Sequence, residues 1–243
     1  MADNYIERQQ ELYEARKVAW KHSKKNLHRQ NKEQTPQRRV LVVGGADATG
    51  RALVKGFCEA GHRVAFCDND EKGGRLTAVL TGADFECLKR TDVRGLNSWM
   101  ETWLEDWGDV DVLVINAAAV GNGTERMHYL EVVAEGVTPA IELMNQWEKH
   151  RRNRPEDLKE GCMVMVCPTP DNDDRTNRMA TTATQGALTD LTLEGANALK
   201  GVRIAVNAVK GNTAGEPEKV ARMCLFLTDE KCNCMNGEVI SLI

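Results

Sequence analysis

Between residues 40 and 243 short apolar runs alternate with amphipathic stretches, and this alternation decides what the chain can fold into. The apolar runs are 40–43, 64–67, 85–88, 110–115, 163–167, 202–209 and 239–243. Several are apolar almost throughout, as strands are when helices cover both faces of a parallel sheet. The stretches 49–60, 72–81, 94–107, 126–149, 179–200 and 217–227 carry helical periodicity. Gly61, Gly82, Gly108 and Gly201 follow helical stretches, where a left-handed cap is expected. Strand–helix alternation with right-handed crossovers predicts an α/β fold, a doubly wound, seven-stranded parallel sheet of the Rossmann type. A hydrophobic content of 42% suits one medium-sized domain over residues 38–243.

Residues 1–37 read differently, as a charged amphipathic helical arm. Ile6, Tyr13, Trp20 and Leu27 recur every seven residues and share one narrow helix face. Such a face needs something to lie against, either its own domain or a partner subunit. Residues 1–39 hold ten Lys/Arg and five Asp/Glu, leaving −9 for the rest of a chain whose net charge is −4. The interspersed acids make a nucleic-acid-gripping arm unlike this one. No apolar run reaches the roughly 18 residues that span a membrane, and the charged start is unlike a signal peptide. The expectation is a cytoplasmic protein with no membrane or nucleic-acid partner.

Eight cysteines are too sparse for a disulfide scaffold. Cys58, Cys67, Cys87, Cys162 and Cys167 fall in or beside apolar runs and read as buried small hydrophobes. Cys232 and Cys234 form a close pair, but no Cys or His follows to complete a metal site, so both read as reduced thiols. The charged stretch 147–160, with His150, Arg151, Arg152 and Arg154, reads as a solvated loop, or as a surface for an acidic partner.

After the first strand comes Gly44-Gly45-Ala46-Asp47-Ala48-Thr49-Gly50-Arg51. A glycine turn between strand and helix makes an anion site, because backbone N–H groups and the helix dipole point at phosphates. The turn resembles the Thr-Gly-x-x-x-Gly-x-Gly turn of the short-chain dehydrogenase/reductase family. Asp92-Val93, Asp111-Val112-Leu113-Val114-Ile115-Asn116-Ala117-Ala118, Val206-Asn207-Ala208-Val209 and Asn236-Gly237-Glu238-Val239-Ile240 resemble further motifs of that family. The resemblance implies NAD as cofactor. Gly44, Asp47, Thr49 and Gly50 would lie at the pyrophosphate. Asp68 would read the adenosine ribose, Asp92 and Val93 would lie along the adenine, and Asn116, Ala117 and Ala118 would also bind the cofactor. It also implies pairing of the stretches 126–149 and 179–200 across a two-fold axis, giving a homodimer or homotetramer. In the second stretch Leu188, Leu191, Gly195 and Ala198 would allow close approach.

Departures from the family pattern are concentrated at the chemistry. Ala48 stands where the middle glycine would be, and Asp47 adds a carboxylate beside the phosphates, so NAD is expected to bind weakly. The family's catalytic Asn, Ser, Tyr and Lys align with Val133, Pro168, Thr181 and Gln185. Only Tyr5, Tyr13 and Tyr129 occur in the chain, so no shift of register supplies a tyrosine in the catalytic half. Cys167 has no histidine after His150 to act as its base. Residues 210–216 lead directly to Pro217, where the family inserts a mobile lid. The reading is a non-catalytic member of the family with a structural or regulatory role. Its alternative is an NAD-dependent oxidoreductase with a relocated acid/base acting on a carbonyl or alcohol.

Overall fold

The computed structural model describes residues 37–118, 129–169, 175–213, 215–232 and 235–242. The helical arm, the start of the expected 126–149 helix and Cys234 lie outside the described residues. The chain divides into two units, Met1–Gln37 and Arg38–Ile243. The second carries the sheet.

In it, β1 (Arg39–Val43), α1 (Ala48–Glu59), β2 (Arg63–Asp68), α2 (Glu71–Thr81), β3 (Asp84–Cys87) and α3 (Val93–Trp107) make the first half. β4 (Val112–Asn116), α4 (Tyr129–Arg152), β5 (Gly161–Val166), α5 (Arg175–Ala198), β6 (Ile204–Gly211), α6 (Pro217–Leu227) and β7 (Val239–Leu242) make the second. The sheet order is β3-β2-β1-β4-β5-β6-β7, every pair parallel. The expected doubly wound, seven-stranded sheet is therefore present. Winding reverses between β1 and β4, where Val42 pairs with both Phe66 and Val114.

Alternation along the strands sorts the core into two layers. Leu41, Val43, Leu113 and Met163 face Trp99, Leu143, Trp147 and Leu188 of α3, α4 and α5. Val40, Val42, Val112 and Val164 face Leu53, Phe57, Val220 and Cys224 of α1 and α6. Each such side chain, fully buried, contributes roughly 1.5–3 kcal/mol. Three helices begin alike: the carboxylates of Asp47, Asp70 and Asp92 accept from the amides of Gly50, Gly73 and Gly95. Among the described residues no helix is long and apolar enough to cross a membrane.

Several expectations are corrected. Gly61, Gly82 and Gly108 are left-handed, but Gly201 is not; a 3-10 turn, Lys200–Val202, follows α5, and Arg203 takes the left-handed place at φ 57°. The stretch 147–160 is not a loop throughout, because α4 runs to Arg152. Lys149, His150, Arg151 and Arg152 fill its last turn, where cations meet the negative end of the helix dipole. Nor is the cluster solvated throughout: Arg152 and Arg154 are exposed, but Arg151 is 0% exposed. Its Nη1 donates to the carbonyls of Lys159 (2.9 Å), Val202 (3.2 Å) and Arg203 (3.1 Å). Its Nη2 donates to the Val110 carbonyl and pairs with Asp109 at 3.0 Å. Arg38 does the same at the start of β1, donating to carbonyls of Asp111, Glu160 and Thr228. Arg39 beside it pairs with the Asp111 carboxylate. A cavity of about 260 Å³ at this amino edge of the sheet is lined by His150, Arg151, Arg154 and Lys159. His150 and Arg154 there both reach the Gly108 carbonyl.

The stripe Leu188, Leu191, Gly195 faces inward. Leu188 is 0% exposed, Leu191 packs against the core, and a Cβ on Gly195 would lie 2.8 Å from the Met144 methyl. The spacing does mark a helix face, but the face is the core's; Ala198 alone of the four is exposed.

Cys87 is exposed, at the end of the edge strand β3, whereas Cys67, Cys162, Cys167 and Cys224 are buried. Burial pushes the Cys162 and Cys167 thiols up to about 12. A rescue nucleophile at Cys167 has no thiolate at neutral pH. A neutral-pH thiol reagent is expected to modify Cys87 quickly and to leave Cys67, Cys162, Cys167 and Cys224 unmodified until unfolding. Mass spectrometry of the labelled peptides reads this directly, and early label on Cys167 would contradict it.

Candidate active site

In an open parallel sheet, ligands bind outside the carboxyl ends of the strands, where the winding reverses. Here that place lies above Gly44, Asp68 and Asn116, at the ends of β1, β2 and β4. Gly44 adopts φ +88°, and a Cβ on it would meet the Asn116 carbonyl at 2.7 Å. A Cβ on Gly50 would overlap the Gly44 carbonyl, so the helix entry and the turn touch backbone to backbone. Ala48 is exposed at the mouth of the turn.

Asp47 caps α1 through a 2.6 Å bond from the Gly50 amide. The Asn116 amide reaches both oxygens of the same carboxylate at 3.2 Å and the Gly44 carbonyl at 2.8 Å. Burial nevertheless pushes the Asp47 carboxyl above the ordinary range, because desolvation outweighs these bonds and the attraction of Arg90. The ionised form is therefore penalised in the folded state, and the penalty is relieved as pH falls through the raised value. A dianionic pyrophosphate at the helix N-terminus would meet that charge. NAD affinity is expected to rise as pH is lowered through the raised Asp47 value, and Asp47→Ser should raise it at the alkaline end and flatten the dependence. Titration calorimetry across pH checks this; affinity falling on acidification would contradict it.

The remaining cofactor candidates are largely engaged within the protein. Thr49 is buried, and its hydroxyl donates to the Thr213 carbonyl at 2.8 Å. The Thr213 hydroxyl in turn donates to the Cys167 carbonyl, and its amide donates to Thr169, whose hydroxyl also donates to the Gly211 carbonyl. This hydroxyl network ties the segment after β6 down onto the sheet. Asp92 is exposed and spends one oxygen on the Gly95 amide; Val93 beside it is exposed too. Ala117 and Ala118 are buried, the first bonded to the Val166 carbonyl and the second to the Asn116 side chain.

Asp68 is 4% exposed. One of its oxygens accepts from the Ala46 amide and the other from the Asp70 amide, each at 3.0 Å. Arg90 lies beside it, 3.7 Å from Oδ2, and donates its other terminal nitrogen to the Asn116 carbonyl. Sequence reasoning misses Arg90. Its one signal is a basic residue two positions before Asp92, just beyond β3.

At the other end of the crevice the structure brings Pro168 and Gln185 together: the Gln185 amide donates to the Pro168 carbonyl at 3.2 Å. Thr181 lies one turn earlier on α5, 1% exposed, with its hydroxyl on the Arg178 carbonyl. Val133 is half-buried on α4, near Gly136, which packs against the Thr184 methyl. Glu135 on the same helix has its carboxyl pushed up by burial, against the pull of Arg90. The charged groups that act on it are Arg90, Asp68 and Glu131, not the side chains at 168, 181 or 185.

A family model described as short chain dehydrogenase matches residues 38–214. The L-fucose dehydrogenase of Rattus norvegicus is 26% identical over 159 residues, covering 63% of this chain and 57% of that protein. The L-fucose dehydrogenase of Mus musculus is 39% identical over 79 residues, 32% of this chain and 29% of that protein. The chain thus spans less than two thirds of the length of these relatives. Among solved structures, the 3-ketoacyl-(acyl-carrier-protein) reductase from Brucella melitensis, complexed with NADH, superposes with a TM-score of 0.72 at 20% identity. That match covers 86% of this chain and 97% of the reductase.

Proposed function

This chain belongs to the short-chain dehydrogenase family, and from that premise we propose that it is a non-catalytic member, a weak NAD binder with a structural or regulatory role. The observation that carries the reading is the Gln185–Pro168 contact, with buried Thr181 one turn away. Carbonyl reduction needs a proton donor with a pKa near working pH and a group that tunes it. An amide, a ring without N–H and a buried aliphatic hydroxyl supply neither. The relatives named as sugar dehydrogenases favour the alternative of an NAD-dependent oxidoreductase acting on a carbonyl or alcohol. Against it, Glu135, the half-buried carboxyl on α4, answers to Arg90 and Asp68 at the adenosine end of the crevice.

The test is turnover. Purified protein is expected to reduce neither NAD nor NADP with L-fucose, xylose or sorbitol, and to leave NADH and NADPH unoxidised with ketones, aldehydes and quinones. Sustained turnover at any of these establishes the oxidoreductase instead.

Self-association belongs to the same proposal. The outer faces of α4 and α5 expose Leu130 (62%), Ile141 (39%), Met179 (57%) and Leu193 (47%). These, rather than the inward stripe, are the surface for a homodimer or homotetramer. Ile141→Glu with Leu193→Glu is expected to give a monomer in light scattering, where the parent chain gives a dimer or larger. A monomeric parent would remove this part of the reading.

A further inference from the structure

We infer that Arg90 closes the adenosine end of the crevice, its guanidinium standing where a dinucleotide's ribose would be read. The inference rests on the weak-binding reading and gives it a cause. Three strand ends converge on this side chain. One terminal nitrogen donates to the Asn116 carbonyl at the end of β4, and the other stands 3.7 Å from the Asp68 carboxylate at the end of β2. A Cβ added to Gly44, at the end of β1, would lie 2.5 Å from Nη2, so the guanidinium rests directly on the glycine turn. It therefore spans the place where winding reverses.

The carboxylate that would hold a ribose hydroxyl is covered as well. Asp68 holds the Ala46 and Asp70 amides and faces Arg90, and almost none of it reaches solvent. A ribose bonding to Asp68 needs the guanidinium to leave, which strands a buried carboxylate and frees the Asn116 carbonyl. Breaking a buried pair by removing one partner is costly. The open form is thus a minor population, and apparent affinity falls by that fraction. Asp47 and Glu135 lie within the field of the same arginine, so its departure also leaves Asp47, Asp68 and Glu135 with less compensation.

Binding, not activity, reads this. Titration calorimetry would compare the parent chain with Arg90→Gln, using NAD, AMP and nicotinamide mononucleotide as separate probes. Glutamine can still donate to the Asn116 carbonyl while withdrawing from Asp68. Arg90→Gln is expected to tighten NAD and AMP by about tenfold or more, with nicotinamide mononucleotide unchanged. A folded Arg90→Gln that binds NAD and AMP as weakly as the parent overturns the arginine's role and leaves the weak-binding reading standing. A parent chain that binds NAD as an ordinary dehydrogenase does overturns both. A measurement on the parent chain covers a variant that does not fold. The Arg90 Nε–H resonance, assigned with Arg90→Lys, should be slow to exchange in the free protein and should shift on adding millimolar AMP. A resonance that AMP binding leaves unmoved overturns the inference.

Discussion

Replacing Arg151 with methionine is expected to lower the stability of the domain by about 3–5 kcal/mol, the cost of breaking a buried ion pair from one side. The methionine keeps much of the stem that packs on Trp147, whose ring lies 4.8 Å from the guanidinium carbon. What it removes is the guanidinium. Four carbonyls, of Val110, Lys159, Val202 and Arg203, then lose a donor, and Asp109 is left without its cation. Those carbonyls come from the starts of β4 and β5 and from the turn before β6, so one side chain holds three strand entries in register. At roughly 2–4 °C per kcal/mol for a domain of this size, the melting temperature should fall by about 6–20 °C. Arg152, the next residue, is the control. It pairs with Glu148 one turn back on the exposed side of α4. Exposed pairs of this kind contribute about 0.3–0.5 kcal/mol, so Arg152→Met should barely move the transition. Thermal and urea unfolding of both variants decide the matter. Equal transitions for the two would mean that Arg151 is not the brace its contacts describe.

The contrast between these neighbours shows which information the sequence carries. Strand and helix periodicity makes the parallel sheet legible, because burial on both faces leaves little freedom in residue type. The glycine turn is legible for a similar reason: Gly50 touches the Gly44 carbonyl and tolerates no Cβ. Direction is not legible. Leu188, Leu191 and Gly195 repeat at helical spacing, but spacing alone leaves open whether that face meets the sheet or another subunit. The charged run 147–160 reads as solvated because charge usually is, yet Arg151 is buried by carbonyls that sequence reading does not bring together. Arg90 is invisible for the same reason. Its partners lie on β2 and β4, more than 20 residues away on either side, and only the sheet order brings them under one side chain. Asp68 stands at the end of β2 as the sequence implies, but it is nearly buried, and each of its oxygens already accepts from an amide of the turns after β1 and β2.

Restoring the family's catalytic residues, as Pro168→Ser, Thr181→Tyr and Gln185→Lys together, is expected to leave turnover below about 0.1 s⁻¹, some hundredfold under a median enzyme. Supplying a general acid is worth about 10²–10⁴ in rate only when the donor is positioned and its pKa tuned. Here neither condition follows from the substitutions. Thr181 is 1% exposed and its hydroxyl is held by the Arg178 carbonyl. A tyrosine grown from that position overpacks the layer between α5 and the sheet, at about 1–3 kcal/mol. Its phenol would be directed by the packing rather than by a substrate. A lysine at 185 could replace Gln185 on the Pro168 carbonyl, but a cation spent on that carbonyl does less to lower the tyrosine pKa. The segment from Gly211 to Thr213 is bonded down through Thr49, Thr169 and the Cys167 carbonyl, so this stretch offers no closing lid. A pyrophosphate at the start of α1 would meet the Asp47 carboxylate. The obstacles lie on α5, on the segment after β6 and on the glycine turn, which is why three substitutions should not remove them. Steady-state NADH oxidation by the triple variant, with its fold checked by thermal melting, is the measurement. Turnover at the rate of an ordinary dehydrogenase would mean that the scaffold supports catalysis once those three side chains are supplied, and that neither the packing around Thr181 nor the segment after β6 stands in its way.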